Sequence, residues 1–430
     1  MSLIGAMNTA ITGLNAQSAA FGNISDDVAN SQTTGFKRID TRFEDFLTSS
    51  TPTQNLSGSV VALPDYRNDV QGTIVADSSP LALAITGQGF FPVSQRTGDA
   101  NGAPVFSPTP QFTRAGDFSL DKSGYVVNGT GQYLNGWKVD PTTGVDRTKL
   151  APIQVGQSSY NPVPTGQINI AANLPTTPDG TTPLVTQSQV YDSLGNQHQV
   201  SLAWTQTAGT PNSWQVAIQS SDASPAAIGA ATITFGTNGA PPGTIGSITD
   251  PAGVTTTYAA NTPASFTATP NFGAGAQPVR FGLGTFGQAD GITNFAGTQL
   301  SLRSLTQDGV PAGSFTGLTT QANGSLVANY TNGQNRVIAR VPVVTFANPD
   351  ALQRQNGQGF TTTSDSGAPL AQDAATNGAG GLVTGSIESS NVDIATEFSA
   401  LIVAQRAYSA NAKLVTTADD LLQQTIDMKR

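Results

Sequence analysis

The sequence predicts an α+β multidomain fold, in which N- and C-terminal helices form a coiled-coil-like inner unit and two largely all-β domains are inserted between them. Three observations predict it. Apolar residues recur at alternating steps of three and four at both ends of the chain, the spacing of a helix that packs on another helix. Between the ends, turn dipeptides alternate with short β-rich runs. Pro- and Gly-rich patches near 141–165 and 270–290 bracket one stretch of that middle, which suggests one β domain inserted in another.

The first element is a helix over roughly 1–35. No charged side chain occurs before Asp26, and Ile4, Met7, Ile11, Leu14, Ser18, Phe21, Ser25 and Val28 trace one stripe. The stretch lacks the basic start and continuous apolar core of a secretory signal, and it lacks an unbroken membrane-length run. No membrane insertion is expected. Gly5, Gly13 and Gly22 interrupt the helix, each costing roughly 1 kcal/mol relative to Ala. It runs out in "ANSQTTGFKR" (29–38), where Gly35 permits a sharp turn, Phe36 can anchor in apolar surface, and Lys37 and Arg38 bring the first positive charges.

An extended arm is expected over 36–80, followed by the first part of a middle β domain (81–145). An inserted outer β domain (146–285), the second part of the middle domain (286–360) and a return arm (361–388) complete the middle. The β reading rests on runs such as "SLAWTQT", "WQVAIQS", "ATITF" and "RVIARVPVVTF", and on turn pairs including Asn101-Gly102, Asn135-Gly136 and Asn238-Gly239. The last element is a helix over 389–430. Its stripe runs through Ile394, Phe398, Leu401, Gln405, Tyr408, Ala412, Val415, Asp419, Leu422 and Ile426. Ser390 to Asp393 fits a weak capping box, and Lys429 with Arg430 suits the negative end of the helix dipole.

Composition narrows the function. Charged residues are 11% of 430, against roughly 25% in ordinary globular proteins, so the surface is unusually neutral. A net charge of −9 argues against nucleic acid as a partner. The absence of Cys excludes disulfides and thiolate sites, and the single His198 excludes a site needing two imidazoles. "GLGTFG" (282–287) fits a dinucleotide fingerprint formally but has no helix after it. His198 lies in an alternating strand-like run and reads as a solvent-facing residue. Asp117 and Asp121 lack the ligand ladder of a calcium loop and read as a hairpin turn. No enzyme activity, cofactor or metal is expected.

With these residues laid out, a resemblance emerges. "VANSQTTGFKR" (28–38) resembles the signature of the flagellar axial proteins, the rod and hook subunits of the bacterial flagellum. "SNVDIATEFSALIVAQRAYSANAKLVTTADDLLQQTI" (390–426) is similar to their C-terminal helix, and "ITGQGFFPV" (85–93) with "FTRAGDFSLDKSGYVVNGTGQYLNGW" (112–137) resembles the β domain beside it. "VYDSLGNQHQVSLAWTQT" (190–207) resembles the inserted outer domain that the shorter distal rod subunits lack. Residues 208–280 match only in texture. Relatives commonly carry paired Asn where this chain has Asp26 and Asp27. Acidic groups there oppose the helix dipole, so either the helix stops before Asp26 or a neighbouring subunit supplies a cation.

The resemblance implies a structural subunit of a curved, flexible, hollow tube that transmits torque from rod to filament. It implies export by the flagellar type III apparatus with the N-terminus retained, and a place outside the cell. The implied partners are further copies of the chain, the distal rod protein, the hook cap protein and the hook–filament junction proteins. Self-assembly would fall to the two stripes and the turn, with Lys37 and Arg38 meeting acidic groups on an adjacent subunit. An uncharged helix can line a channel without presenting fixed charge to exported chains. The alternatives are a distal rod subunit and an extracellular adhesin or carbohydrate-binding protein, the second of which leaves matched terminal seams unexplained.

Overall fold

In the computed structural model, among the described residues, two α-helices bound a middle that is β-rich, with one 3-10 turn at Pro349–Ala351. The structure describes residues 3–428 except 52–53, 101, 141, 157–158, 181–182 and 211, and no side chain at 3 or 48–57. Asn101 and the basic pair Lys429 and Arg430 therefore lie outside the described residues. The chain divides into two compact units, the first comprising 1–157, 317–329 and 335–430 and the second 158–316 and 330–334.

The first unit holds both ends. Helix α1 (Leu3–Ala29) and helix α2 (Ile394–Asp427) lie antiparallel, with Phe21 stacked obliquely on Tyr408 at 6.2 Å and Gly13 against Asn411. A Cβ on Gly13 would come 2.9 Å from the Asn411 amide nitrogen, so this glycine, read as a helix weakness, sits at the contact between the two helices. The helix start also differs from expectation: Asp393, not Ser390, is the N-cap, and its side chain accepts from the Thr396 N–H at 2.8 Å.

No loose arm follows α1. Strand β1 (Ile39–Thr51) and strand β2 (Gln54–Tyr66) form a long antiparallel hairpin running from Ile39 opposite Tyr66 to Thr51 opposite Gln54. The hairpin lies along α1. The Thr9 hydroxyl donates to the Gly58 carbonyl (3.2 Å), the Thr12 hydroxyl accepts from the Val60 N–H (3.2 Å), and Asn23 donates to the Thr41 hydroxyl (2.9 Å). The Thr and Asn positions of an apparently apolar helix thus supply hydrogen bonds to a strand edge.

The body beneath is a sheet in which Asn335–Arg340, Gln132–Asp140, Phe91–Ala100, Gln111–Thr113 and Gly359–Thr361 are successive neighbours. The expected run 336–346 splits at Pro342, which has no N–H to give a ladder, into Asn335–Arg340 and Val343–Thr345. Asn135-Gly136 is no turn but lies inside the strand Gln132–Asp140, with Asn135 bonded to Ser94 at 3.1 Å. Nor is 361–388 an arm. Leu370–Gln372, Gly381–Thr384 and Ser386–Glu388 pair respectively with Val343–Thr345, Leu83–Thr86 and Ile74–Ala76.

The second unit is built from two sheets around one core. Six strands from Leu184–Tyr191 to Thr255–Thr257 follow one another as an antiparallel meander, and the other sheet is centred on Gln167–Asn173. In the strand Ser213–Gln219, Trp214, Val216 and Ile218 point inward, meeting Trp204, Ile233, Phe235 and Phe281. Asn238 and Gly239 turn at φ 53° and 86°, the hairpin pair the sequence suggested. The expected insert boundaries shift, because Gly144–Pro152 pairs with Gln132–Asp140 in the first unit while Ile292–Thr293 and Ser301–Gln307 pair with Gln167–Asn173 in the second.

The residues weighed for chemistry have structural roles. Asp121 accepts from the N–H groups of Ser123 and Tyr125, and Asp117 from that of Gly129. Residues 282–287 straddle the end of the strand Val279–Thr285, with Leu283 buried. His198 is not a solvent-facing residue: its ring stacks on Phe272 at 4.2 Å, between Asp192 and Asp222.

Candidate functional site: a buried charge junction beneath the helix pair

The turn after α1 is held by backbone geometry first. Gly35 has φ +70°, and a Cβ there would sit 2.4 Å from the Ala115 nitrogen, so this position requires glycine. Its N–H donates to the Glu388 carbonyl at 2.8 Å. Phe36 follows, buried, with the Arg354 guanidinium 5.1 Å above its ring.

Lys37 does not reach outward. Its Nζ lies 2.6 Å from the Glu388 Oε1 and donates to the Val70 carbonyl at 2.6 Å, with both charged side chains fully buried. The other Glu388 oxygen accepts from the Arg114 Nη1 at 2.9 Å, and Arg114 also donates to the carbonyls of Ile85 (3.3 Å) and Gly87 (2.7 Å). Glu388 Oε1 further accepts from the Gly72 N–H at 2.8 Å. One carboxylate thus holds two cations from segments far apart in sequence, and backbone carbonyls accept from Lys37 Nζ and both Arg114 Nη groups, while the buried Arg114 Nε has no partner among the described residues. Burial pushes the Lys37 ammonium down to about 8, against the opposing pull of Glu388. Deleting one partner of such a cluster costs about 3–5 kcal/mol, because it strands a buried charge.

Arg38 stays partly exposed, 3.0 Å from Asp40 and 4.0 Å from Glu397. Its N–H donates to the Asn391 Oδ1 at 2.7 Å, and the Asn391 amide donates to the carbonyls of Arg67 and Val70. The expectation that Lys37 and Arg38 wait for an adjacent subunit is therefore corrected: both are engaged within their own chain.

The acidic pair resolves in a way neither expectation anticipated. Helix α1 continues past both residues to Ala29, with Asp26 exposed and hydrogen-bonded by Asn30. Asp27 is fully buried and accepts from the Ile39 N–H at 3.1 and 3.2 Å, tying the helix end to the root of the hairpin. Burial pushes its carboxyl up to about 7, so near neutrality it need not oppose the dipole as a full charge.

Along the helix pair the expected stripes are only half right. On α2, Leu401, Tyr408, Val415 and Leu422 alternate with Glu397, Ala404, Asn411 and Ala418, and Glu397, Ala404 and Ala418 are the buried residues. Ile394, Phe398, Tyr408 and Ile426, assigned to the seam, are exposed, Tyr408 while still touching Phe21. On α1 the buried positions are Ala10, Ala16, Ala20, Ile24 and Asp27, while Met7, Leu14, Phe21 and Val28 are half-buried and Ile4 and Ile11 exposed. Small side chains supply most of the buried track, with Ile24, Asp27 and Glu397 beside them. Hydrophobic periodicity points instead to the large residues, most of which this packing covers only in part.

Sequence reasoning missed Arg114, Arg354, Glu388 and Asn391 altogether. One signal was available. Arg114 is the sole charged residue between Asp99 and Asp117, and Glu388 the sole one between Asp373 and Asp393. Isolated opposite charges inside weakly charged strands are candidates for burial against each other.

Comparisons with known proteins fit this architecture. Residues 84–182 match the family model described as flagellar hook protein FlgE/F/G D1 domain. Residues 159–310 match that of the flagellar basal body protein FlaE D2 domain, and 383–428 the flagellar basal body rod FlgEFG protein C-terminal. The flagellar hook protein FlgE of Brucella abortus is 30% identical over 436 residues, covering 100% of both chains. The chain belongs to the flagellar hook protein family. The counterpart from Escherichia coli K12 is 30% identical over 453 residues, covering 99% of this chain and 100% of its own. The crystal structure of Helicobacter pylori flagellar hook protein FlgE2 aligns at a TM-score of 0.46 and 13% identity, over 72% of this chain and 98% of that one. The protein is a structural subunit of the flagellar hook, and neither the distal rod nor the adhesin reading is favoured. Among the described residues no helix is long and apolar enough to cross a membrane.

Proposed function

We propose that the chain polymerises outside the cell into the curved, flexible, hollow tube that carries torque from rod to filament, with the helix pair forming its inner layer. The observation that supports this reading is the mismatch on α2. A helix anchored at its root by buried ion pairs nonetheless presents Phe398, Ile402, Val403, Leu414, Leu421 and Ile426 to solvent. Large apolar side chains left exposed along a well-anchored helix are what a surface that packs against partners presents.

In this reading Ile4, Ile11, Phe398 and Ile426 face neighbouring copies, while Gly35, Phe36, Lys37 and Arg38 fix the angle at which the helix pair leaves the β body. Force on the inner layer passes into that body through Lys37, Glu388 and Arg114. The lightly charged surfaces would slide at small cost, as a bending joint requires. Delivery through the type III export apparatus, growth under the hook cap protein, and attachment to the distal rod and hook–filament junction proteins complete the assignment. Electron microscopy of the purified chain under polymerising conditions tests it. Short tubes are expected, and persistent monomers at high concentration would refute it.

A further inference from the structure

A groove of about 460 Å³ opens where α1, the hairpin and α2 meet, walled by Ile24, Phe43, Val403 and Ala407 and edged by Arg38 and Glu397. Glu397 is 5% exposed, and among the described residues its one ion pair is with the Arg38 guanidinium, at 4.0 Å, while the carboxylates of Asp40 and Asp393 act on it from nearby. Burial holds this carboxyl above its ordinary range, the mark of a charge short of a partner.

The other flank of α2 carries a complementary feature. Ile394, Phe398, Ile402 and Arg406 stand four residues apart and form a single ridge of the kind that packs into a groove between helices. The three apolar members are 43%, 51% and 51% exposed, and Arg406 is exposed with no ion pair among the described residues. At 100° per residue, the three apolar members of this ridge centre about 170° round the helix from Ala400, Val403 and Ala407 on the groove side, with Arg406 at the ridge's edge nearest Val403. Ridge and groove are therefore on opposite flanks of one helix and at the same level.

We propose that the groove receives the Ile394–Phe398–Ile402 ridge of a second copy of this chain, and that the second copy's arginine at position 406 completes the ion pair of Glu397. The inference rests on the homopolymer reading and specifies its inner contact. Because ridge and groove are different surfaces, the contact is heterologous: each copy that accepts a ridge offers its own to the next, and the chain of contacts runs on around a tube instead of closing as a dimer. Apolar side chains fill the groove, and a cation reaches a largely buried carboxylate, where such a pair counts for more than on an open surface.

The absence of Cys makes the test clean. A chain carrying both Phe43→Cys and Ile402→Cys, assembled under reducing conditions and then oxidised, should yield a ladder of disulfide-linked dimers, trimers and longer species. Each single variant should yield none. Covalent dimers from Ile402→Cys alone, or tubes of the double variant with no ladder, overturn the contact. Independently, Arg406→Glu should raise the concentration needed for assembly about ten-fold or more while leaving monomer melting unchanged; unaltered assembly overturns the ion pair. If the unaltered chain forms no tubes, the homopolymer reading itself falls. Tubes without the cross-link cost only this contact.

Discussion

The second unit and the helix pair bury their side chains by opposite rules. In the second unit the large residues are inside: Trp204, Trp214, Ile233, Phe235 and Phe281 form one core, fed by strands whose alternate positions face in. In the helix pair the inside belongs mostly to Ala10, Ala16, Ala20, Ala404 and Ala418, to Glu397 and to Asp27, with Ile24 the large apolar exception, while Phe398, Ile402 and Leu421 are outside. The first pattern is that of a finished domain. The second is the pattern the proposed assembly calls for: a layer held at its root by ion pairs and hydrogen bonds, with apolar flanks left for further copies.

The sharpest way to break this contrast is to remove the root. Glu388→Ala strands Lys37 and Arg114 without a counter-charge and should lower the stability of the first unit by about 3–5 kcal/mol. Thermal unfolding followed by limited proteolysis should show early loss of the helix pair. Unchanged protection of α1 and α2 would mean that the junction does not hold them. Ile233→Ala tests the other side, since a cavity in the second unit should cost about 2–5 kcal/mol and be confined to that unit's own transition. A drop in protection of the helix pair in this variant would show the units to be less separate than their cores suggest.

The pH dependence of the junction gives a smaller effect. Asp27 titrates near 7 when folded, against about 4 when unfolded, so its contribution is fully present below pH 4 and is lost as pH rises through about 7. Asp27→Asn should flatten the stability profile over that window and leave the variant more stable than the parent at pH 8, by about 1–3 kcal/mol. A parallel profile in parent and variant would assign the titration elsewhere. The smallest monomer effect is expected at Leu421→Ser on the exposed flank of α2, within about 0.5 kcal/mol in the monomer. The same change should impair tube formation, and equal assembly by parent and variant would remove Leu421 from the interface.

Much of this was legible in the sequence. The helices announced themselves through alternating steps of three and four, and the strands through β-rich runs with turn pairs at their ends. Such signals are local, set by the 3.6- and 2-residue periods of the backbone. The arms were misread because their paired strands lack the apolar alternation of a buried sheet, and 361–388 is Gly-rich besides. The segment 361–388 is ordered by partners near residues 74–86 and 343–345, which no local window contains.

Sequence alone determined that the two ends are helical, that the middle is β, and that Gly35 begins a turn before a basic pair. Only the tertiary structure decided which face of each helix is covered. Helix α2 offers several apolar tracks, and a single chain can cover one of them. The track chosen is the one that carries Ala404 and Ala418, with Gly13 against Asn411 at the contact. It also decided that Lys37, Arg114 and Glu388 meet. Their attraction depends on distance in space and on the low dielectric of the interior, and neither is written in the 351 residues that separate Lys37 from Glu388 along the chain.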